Sequence, residues 1–316
     1  MNPFLWIISA IFTISILVLL TSFICFFKVF YSPKRKALGE DEYEIPEGEI
    51  YEVFRDDIIA WTKKFRTTPH EDVSITSYDG LTLRGKYYEH KKGAITELLF
   101  HGYQGNAERD LSGGVERCFS LGRNALIIDN RASGTSEGSV ITFGVREKRD
   151  VLSWIDFAIE RFGKDVKLVL TGVSMGAATV LMASGENLPE NVVCTLADCP
   201  YSSQKEIIKK VIRDMKLPDG LLYPFVKLGA RIFGRFDLEE DTPIEAMKRC
   251  SVPIIFIHGD TDAFVPDSMS DELYTACVSK HKSVVKISGA GHGLAFPVGR
   301  DLYVNALAEF EKEWSV

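Results

Sequence analysis

The chain has 316 residues, of which 46% are hydrophobic and 26% charged, and its formal net charge is −7. This is ordinary globular composition, long enough for one large core, and the acidic balance counts against a nucleic-acid binder. Six cysteines without paired spacing argue against a disulfide scaffold and fit a reducing compartment, and none shows metal-site spacing.

The first element in the chain is an apolar run. Phe4 to Phe27 contains no charge and no proline. As a helix its 24 residues would span roughly 36 Å, enough to cross a bilayer. A cleaved signal peptide would need a basic start and a small-residue cleavage site, whereas Met-Asn-Pro precedes the run and Ser22-Phe-Ile-Cys25 ends it. An uncleaved anchor is therefore expected over residues 1–36, including its basic flank of Lys28, Lys34, Arg35 and Lys36. The positive-inside rule then puts the remainder in the cytoplasm. Without those four cations the chain keeps 33 Lys and Arg against 44 Asp and Glu, a balance of −11.

Residues 37–70 read as a turn-rich acidic linker followed by an amphipathic helix, with Ile50, Phe54, Ile58, Trp61 and Phe65 at helical spacing. A hairpin follows, Val73–Ser77 and Leu81–Tyr87 around Asp79-Gly80. Six apolar strands come next, at Glu97–Gly102, Asn124–Asp129, Val166–Val173, Val192–Asp198, Val252–His258 and Ser283–Ser288. Helices are expected between and after them, at Ala107–Leu121, Val145–Arg161, Met175–Gly185, Pro266–Ser279 and Gly299–Trp314. This alternation predicts an α/β fold over residues 71–316, a mostly parallel sheet covered by helices on both faces. The interval of about 201–250 is too long for a simple crossover, and it predicts a small helical lid over the carboxyl edge of the sheet.

One strand runs straight into Gly172-Val-Ser-Met-Gly176, with an apolar helical stretch behind it. This pattern forces a serine onto a tight strand-to-helix turn and makes Ser174 the candidate nucleophile. Gly134-Thr-Ser-Glu-Gly138 matches the same short pattern, but it lacks the helix, so Ser136 reads as a loop residue. A serine hydroxyl needs a base, an acid to orient that base, and donors for the developing oxyanion. Among six histidines, His101 and His258 end strands before glycine and read as turn residues. His281 sits between lysines and reads as solvated, and His70 and His90 flank the hairpin. His292 follows the last strand in a glycine-rich loop and is the candidate base. Asp260 and Asp262, after the next-to-last strand, are both possible acids, with Asp198 a rival. The oxyanion donors are expected to be the Met175 and Tyr103 backbone N–H groups, with the Tyr103 hydroxyl used in packing.

Taken in order, Ser77-Tyr-Asp-Gly-Leu81, His101-Gly-Tyr-Gln-Gly-Asn106, Asp129–Gly138, Gly172–Gly176, His258-Gly-Asp-Thr-Asp-Ala-Phe-Val-Pro266 and Gly291-His292 form a specific set. Over roughly residues 70–316 the chain resembles an α/β-hydrolase of the bacterial serine-aminopeptidase-like branch. The resemblance implies Ser174 as nucleophile, Asp262 as acid, His292 as base, and oxyanion donors at Tyr103 and Met175. Ala132 stands where relatives usually have glycine. No cofactor or metal is implied, and the expected partners are a small-molecule acyl substrate and the membrane. A carboxylic ester is the expected substrate, with thioester or amide hydrolysis, aminopeptidase-like activity and acyl transfer open to the same residues. A membrane-tethered binding module on an inactive hydrolase fold is the non-enzyme alternative.

Overall fold

The structure, a computed structural model, describes residues 3–34, 39 and 41–314. Arg35 and Lys36 of the basic flank lie outside the described residues. The centre is an eight-stranded sheet in the order β1-β2-β4-β3-β5-β6-β7-β8. The strands are β1 (Glu71–Thr76), β2 (Thr82–Tyr88), β3 (Thr96–Phe100), β4 (Asn124–Asp129), β5 (Leu168–Val173), β6 (Val192–Asp198), β7 (Ile254–Gly259) and β8 (Lys282–Ile287). Among the described strands β1–β2 and β2–β4 pair antiparallel, and the other neighbouring pairs are parallel.

Parallel strands need covering on both faces, and the alternation of side chains divides the labour. Leu99 and Ile127 face α4 (Ala107–Ser120), while Leu98, Phe100, Leu126 and Ile128 face α5 (Glu147–Phe162). Farther along, α11 (Arg300–Trp314) covers β5 to β7 through Tyr303, Leu307 and Phe310. On the opposite face, α6 (Met175–Ser184) and α10 (Ser268–Ala276) pack around Ala197 and Phe256. Because the parallel strands share one direction, their carboxyl ends, and the loops that follow them, gather at one rim.

The single amphipathic helix expected from Ile50 to Phe65 is broken into α2 (Glu49–Glu52) and α3 (Arg55–Thr67). The two halves answer to different anchors. The Tyr51 hydroxyl donates to the His292 carbonyl at 2.9 Å, whereas α3 buries Ile58, Trp61 and Phe65. The lid interval holds α7 (Gln204–Asp214), α8 (Asp219–Gly229), a π-helical turn (Ala230–Gly234) and α9 (Pro243–Met247).

The apolar N-terminal run forms α1 (Pro3–Val29), a helix long and apolar enough to cross a membrane. Its last turns dock on the lid. Gly229 lies where any side chain would strike the Ser22 carbonyl, and Phe23 meets Phe233 edge-on at 5.2 Å. Beyond the helix, Phe30 is fully buried edge-on to Phe143 and Phe236, at 5.8 and 5.3 Å. The Ile141 N–H donates to the Phe30 carbonyl at 2.8 Å.

One buried ionic cluster stiffens the sheet. Glu97 of β3 accepts from Arg117, from Arg123 at 3.1 Å and from the Thr171 hydroxyl at 2.6 Å. Burial alone would raise the Glu97 pKa, but the two guanidiniums outweigh it and hold the carboxyl down to about 2. A carboxyl depressed in the folded state stabilises fully above its unfolded value and loses that contribution as pH falls toward 2. Glu97→Gln is expected to cost about 3 kcal/mol at neutral pH, because it leaves the buried Arg117 without its carboxylate, while Arg123 keeps Glu311 at 2.6 Å. Its stability should also change less than wild type as pH falls from about 5 to about 2, measured by thermal unfolding across that range.

Candidate active site

Ser174 sits between β5 and α6 with φ 55° and ψ −115°, a conformation that a non-glycine residue adopts only when its surroundings impose it. Two constraints impose it here. The Ser174 N–H is taken by the Asp198 carbonyl at 2.8 Å, and glycines 172 and 176 let helix and strands come together where a Cβ would collide with backbone. The result is a hydroxyl presented at the sheet rim with the first turn of α6 behind it.

Two other rim loops deliver its partners. His292, in the loop after β8, places Nε2 2.9 Å from Ser174 Oγ and Nδ1 2.7 Å from Asp262 Oδ2. Nδ1 faces a carboxylate and therefore carries the proton, leaving Nε2 free to accept from the serine hydroxyl. Asp262 follows β7. Its Oδ1 accepts the Phe264 and Val265 N–H groups at 2.9 and 2.8 Å. Burial pushes its pKa upward, but the hydrogen bonds from His258 and His292 outweigh burial and hold the carboxyl well below the usual carboxylate range.

The rival acids are occupied elsewhere. Asp198 Oδ2 accepts the Tyr303 hydroxyl at 2.9 Å, and burial raises its pKa. Asp260 is exposed and accepts the Gly289 N–H at 2.7 Å, bracing the turn before His292. Ser136 is buried in its loop, donating to the Asp129 carbonyl at 2.6 Å and accepting the Arg84 N–H at 2.8 Å. His101 bridges Gly102 and Asn130, fully buried, and burial lowers its pKa. Ala132 has φ 59°, so the loop takes a left-handed turn on a residue with a Cβ, at the cost of strain.

His258 is more than a turn residue. Its Nε2 lies 3.2 Å from Asp262 Oδ2 and 3.0 Å from the Val265 carbonyl, two acceptors that require Nε2–H, while Nδ1 meets the Ser270 hydroxyl at 2.6 Å. A fully buried histidine thus fixes the carboxylate that faces His292. Cys199 Sγ also lies within 4.8 Å of the Asp262 and His292 ligand atoms. Burial holds its thiol well above its ordinary value, which works against the thiolate a metal would need.

Tyr103 follows β3, and its hydroxyl donates to the Val29 carbonyl at 2.8 Å, so the phenol is committed to packing. Its loop is held from below by Asp110, which accepts the Gly102 N–H at 3.1 Å and is itself gripped by Arg109 at 2.6 Å. Met175 is the first residue of α6, where a helix leaves N–H groups without an intrahelical acceptor. Ser174, His292 and Tyr103 open on a cavity of about 580 Å³, walled by Trp61, Phe264 and Phe296 and roofed by residues 44–47. The segment that reads as a plain linker is therefore part of the cavity wall.

A serine-hydrolase family model, FSH1, matches residues 225–294, the stretch that carries Asp262 and His292. The YqkD protein of Bacillus subtilis is 25% identical over 237 residues, covering 75% of this chain and 77% of that one. The bem46 protein of Schizosaccharomyces pombe is 25% identical over 228 residues, covering 70% of each chain. In structure, an esterase of Pyrococcus furiosus superposes with a TM-score of 0.67 at 22% identity, over 90% of this chain and 99% of that one. The strand order, the strained serine after β5 and this superposition together give the chain the α/β-hydrolase fold, and its residues 225–294 are similar to the serine-hydrolase family model.

Proposed function

We propose that the protein hydrolyses a carboxylic ester through Ser174, His292 and Asp262. The observation that supports this reading most directly is the unbroken relay of 2.9 and 2.7 Å from serine hydroxyl to imidazole to carboxylate. Ser174 Oγ attacks the ester carbonyl while His292 Nε2 takes its proton. Asp262 steadies the imidazolium. The Tyr103 and Met175 N–H groups receive the oxyanion. Collapse breaks the ester C–O bond, and His292 returns the proton to the departing alcohol. Water then attacks the acyl-enzyme with His292 again as base, releasing the acid and restoring the serine.

An aminopeptidase-like reading has one point in its favour, since Glu44, Glu47 and Asp110 line the cavity. Arg109 sits among them, 2.6 Å from Asp110 and 3.5 Å from Glu44, and offsets the charge that a substrate ammonium would seek. Esters are therefore preferred over peptides. The test is labelling with a fluorophosphonate, followed by a screen of p-nitrophenyl esters against aminoacyl p-nitroanilides. One adduct on Ser174 and turnover of the esters alone are expected. No adduct on the folded chain would favour a binding module instead, and ester products formed with an added alcohol would favour acyl transfer.

Residues 71–316 form the catalytic domain in this reading, with a lid at about 201–250. Residues 1–36 anchor it to a bilayer. Lys28 and Lys34 after the span support a cytoplasmic domain, and a reporter fused at the C-terminus tests that orientation.

A further inference from the structure

The lid carries a surface that the hydrolytic site does not use. From Lys205 to Arg235 there are eight Lys and Arg against three Asp and Glu, before the acidic run of Asp237, Glu239, Glu240 and Asp241, in a chain whose net charge is −7. Along α8 and the π turn, Leu221, Phe225, Leu228 and Ile232 recur at helical spacing and form one apolar stripe. Leu221 and Ile232 are exposed, at 62% and 42%, and Phe225 and Leu228 are half-buried. Tyr223, Val226 and Ala230 face the domain instead, and Gly229, between the two faces, touches α1 at Ser22. The stripe therefore runs beside α1 on the side turned away from the domain, with Arg231 and Lys227, the latter ion-paired with Glu239, along its far edge.

The height of that contact matters. About 20 helical residues cross the roughly 30 Å hydrocarbon core, so a span that begins at Phe4 leaves it near Phe23. Phe23 and Phe26 are the residues that pack on Phe233 of the lid. With α1 in a bilayer, α8 is held at the level of the headgroups. An amphipathic helix with a bulky apolar stripe and a basic edge is the kind that lies in this zone.

The cavity lies within reach of the same plane. Tyr103, on its wall, is bonded to the Val29 carbonyl at the end of α1, and Lys210 of α7 donates to the Ala263 carbonyl beside the cavity residue Phe264. We infer that the apolar stripe of α8 and the basic groups around it lie on the anionic surface of the bilayer that α1 enters, and that the cavity takes acyl esters carried in that bilayer. The substrate half rests on the hydrolase reading above; the docking half rests only on α1 as a membrane span.

The test uses the full chain in liposomes containing phosphatidylglycerol. Nitroxide labels are placed at Leu221→Cys, Ile232→Cys and, as an aqueous control, Val278→Cys, each with Cys25→Ser because the remaining native cysteines are buried. Collision with oxygen, which partitions into lipid, is compared with collision with a water-soluble nickel chelate. The labels at 221 and 232 are expected to meet oxygen and be shielded from nickel, with the reverse at 278. Labels at 221 and 232 that meet nickel as freely as 278 would overturn the docking. Spin–spin broadening between copies would overturn it too, by assigning the stripe to a second copy of the chain. In the same liposomes a methylumbelliferyl oleate should be cleaved faster than the soluble butyrate, and cleavage of the butyrate alone would overturn the substrate class. Lipid-shielded labels on a chain that neither takes up fluorophosphonate nor cleaves either ester would sink the hydrolase reading and the substrate half with it, and leave the docking in place.

Discussion

Ser174→Ala is expected to lower kcat by up to about 10⁶ on any ester the wild type turns over, with KM little changed. The size follows from what is lost. No other described hydroxyl lies on His292 Nε2, so the imidazole has nothing nearby to activate for covalent attack. What survives is the general polarisation of the site, which elsewhere supports on the order of 10³ over the uncatalysed rate. Alanine is also asked to adopt φ 55°, so its melting temperature must be measured alongside to show that the change is chemical. A variant that folds normally and keeps more than about a hundredth of wild-type kcat would mean that another group attacks the carbonyl.

Asp262→Asn comes next in size, with an expected loss of about 10⁴ in kcat, and its direction can be read from the hydrogen bonds. Oδ1 receives two backbone N–H groups, from Phe264 and Val265. An asparagine must keep its carbonyl oxygen there, which turns its NH₂ toward His292 Nδ1. That nitrogen then has to accept, the ring proton moves to Nε2, and Nε2 can no longer take the serine proton. The same NH₂ also confronts the Nε2–H of His258, donor against donor. Asp260→Asn is the matched control: its carbonyl can still accept the Gly289 N–H, and kcat should stay near wild type. The reverse outcome, with Asp260→Asn inactive and Asp262→Asn active, would reassign the acid. Because Asp262 is held ionised far below neutrality, no ionisation seen in the pH–rate profile between about pH 5 and pH 9 should belong to it.

Much of this arrangement is legible in the chain because the signals are local. The strands at 124–129 and 192–198 have apolar centres closed by an aspartate, and their ends are read to the residue. The glycine spacing around Ser174 announces its turn, since only missing side chains permit that approach of helix to strand. The choice between Asp260 and Asp262 is different in kind. Two carboxylates two residues apart, both after β7, carry the same local information; which of them faces His292 is decided by a ring thirty residues away. His258 is opaque for the same reason, because nothing near it in sequence says that its Nε2 points at Asp262. The break between α2 and α3 is a third case, where periodicity promises one helix and a tertiary bond from Tyr51 to the His292 carbonyl divides it.

The burial of Phe30 between Phe143 and Phe236 has a practical corollary. A stretch that looks like a detachable leash is also a peg in the body of the enzyme, and the carbonyl just before it, on Val29, steadies the loop that carries Tyr103. Cutting the polypeptide after that peg would empty the socket and unbrace the loop in one stroke. Solubilising the intact protein in mild detergent, rather than trimming it, is the route to a preparation that keeps its chemistry.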